Sequence, residues 1–126
     1  MIQDRSLVVV ADNSGAKIGR VFKVLGGSKK RYAEIGELVV ISVQSAEPRK
    51  AVKKKDILRA VVVRQKKAMR RKDGSYIRFD ENAVVILDTA GKDKKEPKAG
   101  RIFGPIPREL QELGYQTIIS RAPEVV

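Results

Sequence analysis

Short apolar runs rich in Val and Ile, separated by turn residues, dominate the pattern along the chain. Such runs favour β-strands over helices. They predict strands over residues 6–11, 20–25, 37–46, 56–65, 76–79 and 83–87. Within the third run Val39, Ile41 and Val43 alternate with other residues, which places them on one face of a strand. The dipeptide at 73–74, Asp-Gly, predicts a tight hairpin turn.

The pattern changes near the C-terminus. Pro105 and Pro107 are typical of a helix start, and Ile106, Leu110 and Leu113 recur at helical spacing before Gly114. These residues predict a single short helix, which must dock on the rest of the protein to persist. Residues 101–104 are interpreted as a short strand or an anchor, and residues 117–120 as a last strand. Several short strands and one late helix predict a small closed β-barrel.

Length and composition set further limits. At 126 residues the chain is expected to be a single domain, 1–126, with a barrel core of roughly 1–88 and a C-terminal loop, helix and strand over 89–126. No apolar run reaches the length of a membrane span, and the N-terminus shows no secretory pattern. The chain has no cysteine, so disulfides are excluded and a cytoplasmic location is expected.

The charge is both large and uneven. Lys and Arg total 27 against 15 Asp and Glu, a net charge of +12. Residues 49–72 contain twelve cations and one acid, Asp56, so this window carries +11 and the remainder +1. Such an excess predicts a polyanionic partner, and nucleic acid is the commonest. A membrane surface is the weaker alternative, because no long basic amphipathic helix is present.

The remaining chemistry argues against an enzyme. Histidine and cysteine are both absent, and the acids Glu34, Glu37, Asp80, Glu81, Glu109 and Glu112 form no catalytic pattern. The glycines at 26–27 lack the spacing of a phosphate-binding loop. We therefore predict no catalytic residue, no metal site and no cofactor.

The aromatic residues indicate how RNA would be bound. They are scarce, with three Tyr, three Phe and no Trp, which disfavours a protein that reads single strands by stacking. Folded RNA, gripped through phosphates, sugars and shape, is the expected target. Phe22, Phe79 and Phe103 are expected in the core. Tyr32, which lies among basic residues, is retained as a candidate contact.

Several motifs resemble one known family. The segment 60–63, Ala-Val-Val-Val, is followed after nine residues by Asp73-Gly74 and then by Phe79-x-x-Asn82-x-Val84-Val85-Ile86. The resemblance continues over 10–16, 24–28, 101–105 and 122–125, and so extends along essentially the whole chain. These residues resemble the universal large-subunit ribosomal protein family number fourteen, of the bacterial or organellar type. The resemblance implies a mainly β fold, a closed five-stranded antiparallel barrel with a short C-terminal helical portion.

The resemblance also implies a role and partners. It implies a structural constituent of the large ribosomal subunit that binds large-subunit rRNA and helps to form intersubunit bridges with small-subunit rRNA. Neighbouring large-subunit proteins are further expected partners, together with a ribosome silencing factor. Organellar ribosomes remain an alternative location. Lys50 and Lys55 depart from the family, which usually has glycine at both positions.

The candidate site residues follow from the basic segments and the resemblance. Arg49, Gly100, Arg101 and Thr117 are expected at intersubunit or protein contacts. The expected rRNA-binding residues are Lys29, Lys30, Arg31, Arg49, Lys50, Lys53, Lys54, Lys55, Arg59, Arg64, Lys66, Lys67, Arg70, Arg71 and Lys72.

Two other function classes stay open at this point. One is a free-standing RNA-binding regulator or chaperone on a similar barrel, and the other is a small enzyme that acts on an anionic substrate. Sedimentation of a lysate at moderate and high salt separates the three, because only a ribosomal component would stay with the large subunit.

Overall fold

A computed structural model describes residues 2–26, 30–50, 52–88 and 96–126. The strands are β1 (Ile2–Gln3), β2 (Leu7–Val10), β3 (Ala16–Val24), β4 (Tyr32–Ala33), β5 (Leu38–Ala46), β6 (Ile57–Arg64), β7 (Met69–Arg70), β8 (Tyr76–Ile77), β9 (Ala83–Ile86), β10 (Pro105–Ile106) and β11 (Glu124–Val125). The helices are α1 (Glu109–Glu112) and α2 (Gln116–Arg121). The mainly β fold predicted from the sequence is confirmed.

Five strands form a closed barrel in the order β2-β3-β5-β6-β9. Four of its pairings are antiparallel, as expected. The pairing of β2 with β9, which closes the barrel, is parallel. Closure leaves none of these five strands with an open edge. Val39, Ile41 and Val43 all point into the barrel and are fully buried, so the predicted alternation along β5 is confirmed.

The C-terminal part covers one side of the barrel. Strands β6 and β9 are buried on both faces over most of their length, which explains their unbroken apolar runs. Phe103 N–H donates to Ala11 O at 2.8 Å, and Lys98 N–H to Ile86 O at 3.0 Å. Ile106, Leu110 and Ile118 belong to the same hydrophobic core as the barrel side chains. The two parts therefore share one core.

The C-terminal elements differ from the prediction. Helix α1 confirms a helix that ends before Gly114, but residues 117–120 lie in a second helix, α2, and the predicted last strand is wrong. Tyr115, Ile118, Ile119 and Ala122 recur at helical spacing and pack on the core, so burial of this face outweighs the β-propensity of the segment. The chain then ends in β11, which pairs in parallel with β10.

Two of the three phenylalanines were also wrongly placed. Phe22 and Phe103 are 44% and 46% exposed, whereas Phe79 packs against the core as expected. Phe22 lies on the outer face of β3, where the barrel wall separates it from the interior.

Candidate nucleic-acid interface

The basic loop, residues 47–56, joins β5 to β6. Its exposed cations are Arg49, Lys50, Lys53, Lys54 and Lys55. The backbone of the loop is tied to the barrel, because Glu47 N–H donates to Gly15 O at 2.7 Å and Lys55 N–H to Val43 O at 2.8 Å. The side chain of Val52 is fully buried beneath it. The five cations are therefore presented on a backbone that the core holds in place.

A turn over residues 12–15 supports this loop from below. The buried carboxylate of Asp12 accepts hydrogen bonds from Ser14 N–H at 3.1 Å, from Ser14 Oγ at 2.5 Å and from Ile86 N–H at 3.0 Å. Burial raises the pKa of Asp12 above its usual value, although these hydrogen bonds oppose the shift. Gly15 follows with φ of +110°, and a Cβ on it would overlap the Lys50 side chain. Lys50 thus crosses directly over Gly15.

The ends of the basic loop adopt unusual backbone angles. Arg49 and Lys55 have φ of +64° and +75°, in the left-handed region. Asp56 closes the turn by accepting a hydrogen bond from Lys53 N–H at 3.0 Å. Of the two positions where the resembled family usually has glycine, Lys55 therefore adopts the glycine-like conformation without being glycine.

The outer basic face consists of Lys17, Arg20 and Lys23 on β3 and Arg59 on β6, all exposed. Lys23 pairs with Val40, and Val40 pairs in turn with Arg59, so the face crosses three neighbouring strands. Sequence analysis found Arg59 but missed the three cations on β3. These three cations recur at intervals of three residues along β3, which begins at Ala16, earlier than predicted. The β-bulges in this strand interrupt the simple alternation of inward and outward side chains, so the pattern was not recognised.

Arg64 does not lie with these cations, and its burial argues against the predicted contact with a phosphate. Its side chain is buried, with Nη1 donating to Phe103 O at 2.8 Å and to Pro105 O at 3.1 Å. Nη2 pairs with Glu81 Oε1 at 3.0 Å. Burial lowers the pKa of Arg64, and the Glu81 carboxylate opposes that shift. Arg64 thus joins the barrel to the C-terminal part and is closed to an RNA phosphate.

The arginine-rich hairpin, residues 66–77, contains the predicted turn. Asp73 accepts hydrogen bonds from Ser75 N–H at 3.0 Å and Ser75 Oγ at 2.6 Å, which lower the pKa of Asp73. Arg71 Nε pairs with Glu109 Oε1 at 2.8 Å, and Arg71 Nη2 donates to Val126 O at 2.7 Å.

The cations of this hairpin therefore divide into two groups. Lys72 pairs with Glu112 of α1 at 3.2 Å, but both side chains are largely exposed to solvent, so this ion pair adds little to the attachment that Arg71 provides. Lys66, Lys67 and Arg70 are exposed. The structure thus gives Arg71 a packing role that sequence analysis did not foresee.

The basic residues before β4 are only partly described. Lys29 lies outside the described residues. Lys30 forms an ion pair with Glu37, and Arg31 and Tyr32 are exposed. These side chains line a cavity together with Phe22 and Lys23 on β3.

Three of the residues expected at intersubunit contacts, namely Gly100, Arg101 and Thr117, lie around one connecting segment, residues 96–101, whereas Arg49 lies in the basic loop. Gly100 and Arg101 are exposed, and the Arg101 guanidinium lies 5.8 Å from the centre of the Phe103 ring. Thr117 Oγ1 donates to Glu96 Oε1 at 3.0 Å, which ties α2 to the same segment. Residues 89–95, the preceding part of the predicted loop, lie outside the described residues.

Other classes of site find no support in the described part of the chain. It contains no group of three or more acids, histidines or cysteines that could hold a metal. Glu37, Glu81, Glu109 and Glu112 each pair with a cation. Among the described residues no helix is long and apolar enough to cross a membrane.

The sequence matches the model of a known protein family. The family model described as "Ribosomal protein L14p/L23e" matches residues 1–126, the whole chain. This agrees with the family that the sequence motifs resemble.

Proposed function

The chain belongs to the ribosomal protein L14p/L23e family, and from this premise we propose that it grips large-subunit rRNA through the basic loop and the outer basic face. Members of this family are structural, non-enzymatic constituents of the large ribosomal subunit, and membership places the chain in the ribosome, in the cytoplasm. Which side chains contact rRNA is the subject of the proposal.

One observation carries this proposal. The basic loop holds five exposed cations on a backbone that is hydrogen-bonded to the barrel on both sides. Cations in fixed positions lose little conformational freedom on binding, so more of the phosphate attraction remains as affinity. Arginine adds bidentate contacts to phosphate that lysine cannot make. The loop thus suits a folded RNA backbone of matching shape.

The test replaces charge on the basic loop. Lys53, Lys54 and Lys55 are changed together to Gln, and binding to large-subunit rRNA is measured from low to high salt. Each lost phosphate contact should lower the slope of log affinity against log salt by about 0.7–0.9. We expect a loss of about two units or more if all three lysines meet phosphate.

A matched control removes the same charge elsewhere. Lys72, Lys98 and Arg108 are exposed, and Lys72 and Arg108 already pair with acids. Their combined change to Gln should leave the slope near that of the unmodified protein. Equal slopes for the two triple variants would show that the loop lysines are only solvated. Loss of the unmodified protein from the large subunit at high salt would contradict the ribosomal proposal as a whole.

We further propose that Arg49 and the surface of Gly100, Arg101 and Thr117 contribute to intersubunit bridges. Support comes from the exposure of Arg49, Gly100 and Arg101 and from the hydrogen bonds that link segment 96–101 to Thr117 of α2 and to Asn13. A surface held in this way can meet a second subunit without first becoming ordered. The same surface is the proposed site for neighbouring ribosomal proteins and for a ribosome silencing factor.

Two variants test the bridging surface. Arg101→Glu reverses a charge there, and Gly100→Tyr adds bulk at a position where a Cβ has open space. Both should leave assembly of the large subunit intact and reduce its joining to the small subunit. Joining is measured by sucrose-gradient sedimentation of purified subunits. Loss of the protein from the large subunit, or normal joining by both variants, would contradict the assignment.

A further inference from the structure

A cavity of about 570 Å³ lies where β1, β3 and β4 meet. Two aromatic side chains line it, Phe22 from β3 and Tyr32 from β4. The two side chains are 44% and 46% exposed, although aromatic side chains of this kind are commonly buried in a protein core. Two partly exposed aromatic side chains at one cavity provide the kind of platform on which proteins stack nucleic-acid bases.

Cations flank the aromatic side chains. Lys23 and Arg31 line the same cavity, and within the described residues neither forms an ion pair. Lys30 also lines it but pairs with Glu37. A ring face with a cation beside it matches a nucleotide, which has a flat base and a negative phosphate.

Polar groups complete the lining. Gln3 and Asp4 are exposed at the cavity. At the edge of a base the Gln3 amide can donate and accept hydrogen bonds, and the Asp4 carboxylate can accept them. The backbone here is fixed, because Gln3 pairs with Tyr32 between strands β1 and β4. The cavity thus combines stacking faces, cations and edge-reading groups on a rigid frame.

We infer that this cavity binds one unpaired nucleotide of RNA that is turned out of its stack. The base lies against Phe22 and Tyr32, and Lys23 and Arg31 bind its phosphate. An acidic peptide would satisfy the cations but would leave the two aromatic faces in water. The inference rests on the proposed rRNA-binding function and adds to it a single stacked base, a mode that the scarcity of aromatics disfavoured for the protein overall.

The test uses two RNA hairpins that differ in one feature. One has a single bulged 2-aminopurine, and the other has 2-aminopurine paired within an otherwise identical stem. Fluorescence of 2-aminopurine reports stacking, and titration gives affinity. The unmodified protein should prefer the bulged hairpin and change the fluorescence of its 2-aminopurine. The double variant Phe22→Leu, Tyr32→Leu should bind the bulged hairpin about 5-fold or more weakly, with little change for the paired hairpin.

Tyr76 provides the matched control. It is 69% exposed on β8, outside this cavity, so Tyr76→Leu should change neither affinity nor fluorescence. A circular dichroism spectrum and a melting curve establish that each variant is folded.

The outcomes separate this inference from the proposed function. A double variant that keeps the preference for the bulge overturns the inference, as does an unmodified protein that binds both hairpins equally. A double variant that binds RNA normally but leaves the large subunit would indicate a protein occupant and also overturns it. Failure of the unmodified protein to stay with the large subunit at high salt would instead overturn the proposed function.

Discussion

Gly15 shows how one small residue makes room for a charged side chain. Its φ of +110° and the approach of the Lys50 side chain leave no room for a Cβ. Gly104, just before β10, likewise leaves room for a charged side chain. With φ of +78° it lies against the Arg64 guanidinium, which its own Cβ would meet. Both glycines therefore hold a cation close to the backbone.

We expect Gly15→Ala to destabilise the protein by about 1–3 kcal/mol, because the new Cβ is strained at this φ and displaces Lys50. The free energy of unfolding is measured by urea denaturation. Gly100→Ala is the control, since a Cβ there meets open space, and it should change stability by less than about 0.5 kcal/mol. Similar stabilities for the two variants would show that the loop can move away from Gly15 at little cost.

Sequence alone predicted individual residues with uneven success. The lysines of the basic loop are exposed, as their predicted contact with RNA requires, and the contact itself stays a prediction. Phe22 was placed in the core because its residue type is usually buried. The direction of the Phe22 side chain depends on strand register and β-bulges, and in the structure it points outward from the barrel wall.

At the scale of elements, β6 carries two arginines with opposite roles. Arg59 points outward from the barrel, and Arg64 is buried against the C-terminal segment. In the sequence they look alike, since each flanks the apolar run 60–63. The difference arises because residues 103–105 cover the end of β6 and offer two carbonyl groups to Arg64.

Replacing each of these arginines by Met should separate the two roles. Arg64→Met leaves the carbonyls of Phe103 and Pro105 without their donor. We expect the free energy of unfolding to fall by about 1–3 kcal/mol for each of these two carbonyls. Arg59→Met should change stability by less than about 0.5 kcal/mol but lower the salt slope of rRNA binding by about 0.9 if it meets one phosphate.

Urea denaturation and rRNA titration of the two variants measure both effects. Hydrogen exchange at the Ile106 amide would report separately on detachment of the C-terminal part in Arg64→Met. If Arg64→Met is folded and as stable as the unmodified protein but binds rRNA more weakly, Arg64 contacts RNA after all.

At the scale of the whole molecule, the charge works in opposite directions before and after assembly. The free protein carries a net charge of +12, of which +11 lies in residues 49–72. Self-repulsion among these cations destabilises the free chain, whereas the same cations attract rRNA. The ion pairs that Arg64, Arg71 and Lys72 form with acids relieve part of this repulsion inside the protein.

Salt should therefore stabilise the free protein and weaken its complex. Raising NaCl from about 0.05 M to 0.5 M shortens the screening length from roughly 14 Å to 4 Å, so repulsion within the basic loop fades. We expect a higher urea midpoint for the free protein and a lower rRNA affinity over the same range. The triple Gln variant of Lys53, Lys54 and Lys55 should show a smaller rise in midpoint than the matched control triple. A midpoint that falls with salt would contradict net repulsion.

The sequence by itself determined the class of fold, the family and the class of partner. Alternating Val and Ile runs bury one face of a strand whatever the topology, and a charge excess attracts a polyanion whatever the fold. Tertiary structure decided which cations are available. Arg64 is buried, Arg71 holds the hairpin on α1, and Lys17, Arg20 and Lys23 join the surface.

The second helix was likewise decided by tertiary contacts. Residues 116–121 are helical because that conformation buries Ile118 against the core, a gain that local propensity does not include. Such outcomes depend on strand register, barrel closure and chain segments distant in sequence. The clustering of charge over 49–72 could be read directly from the sequence, whereas its division into exposed and internal cations required the fold.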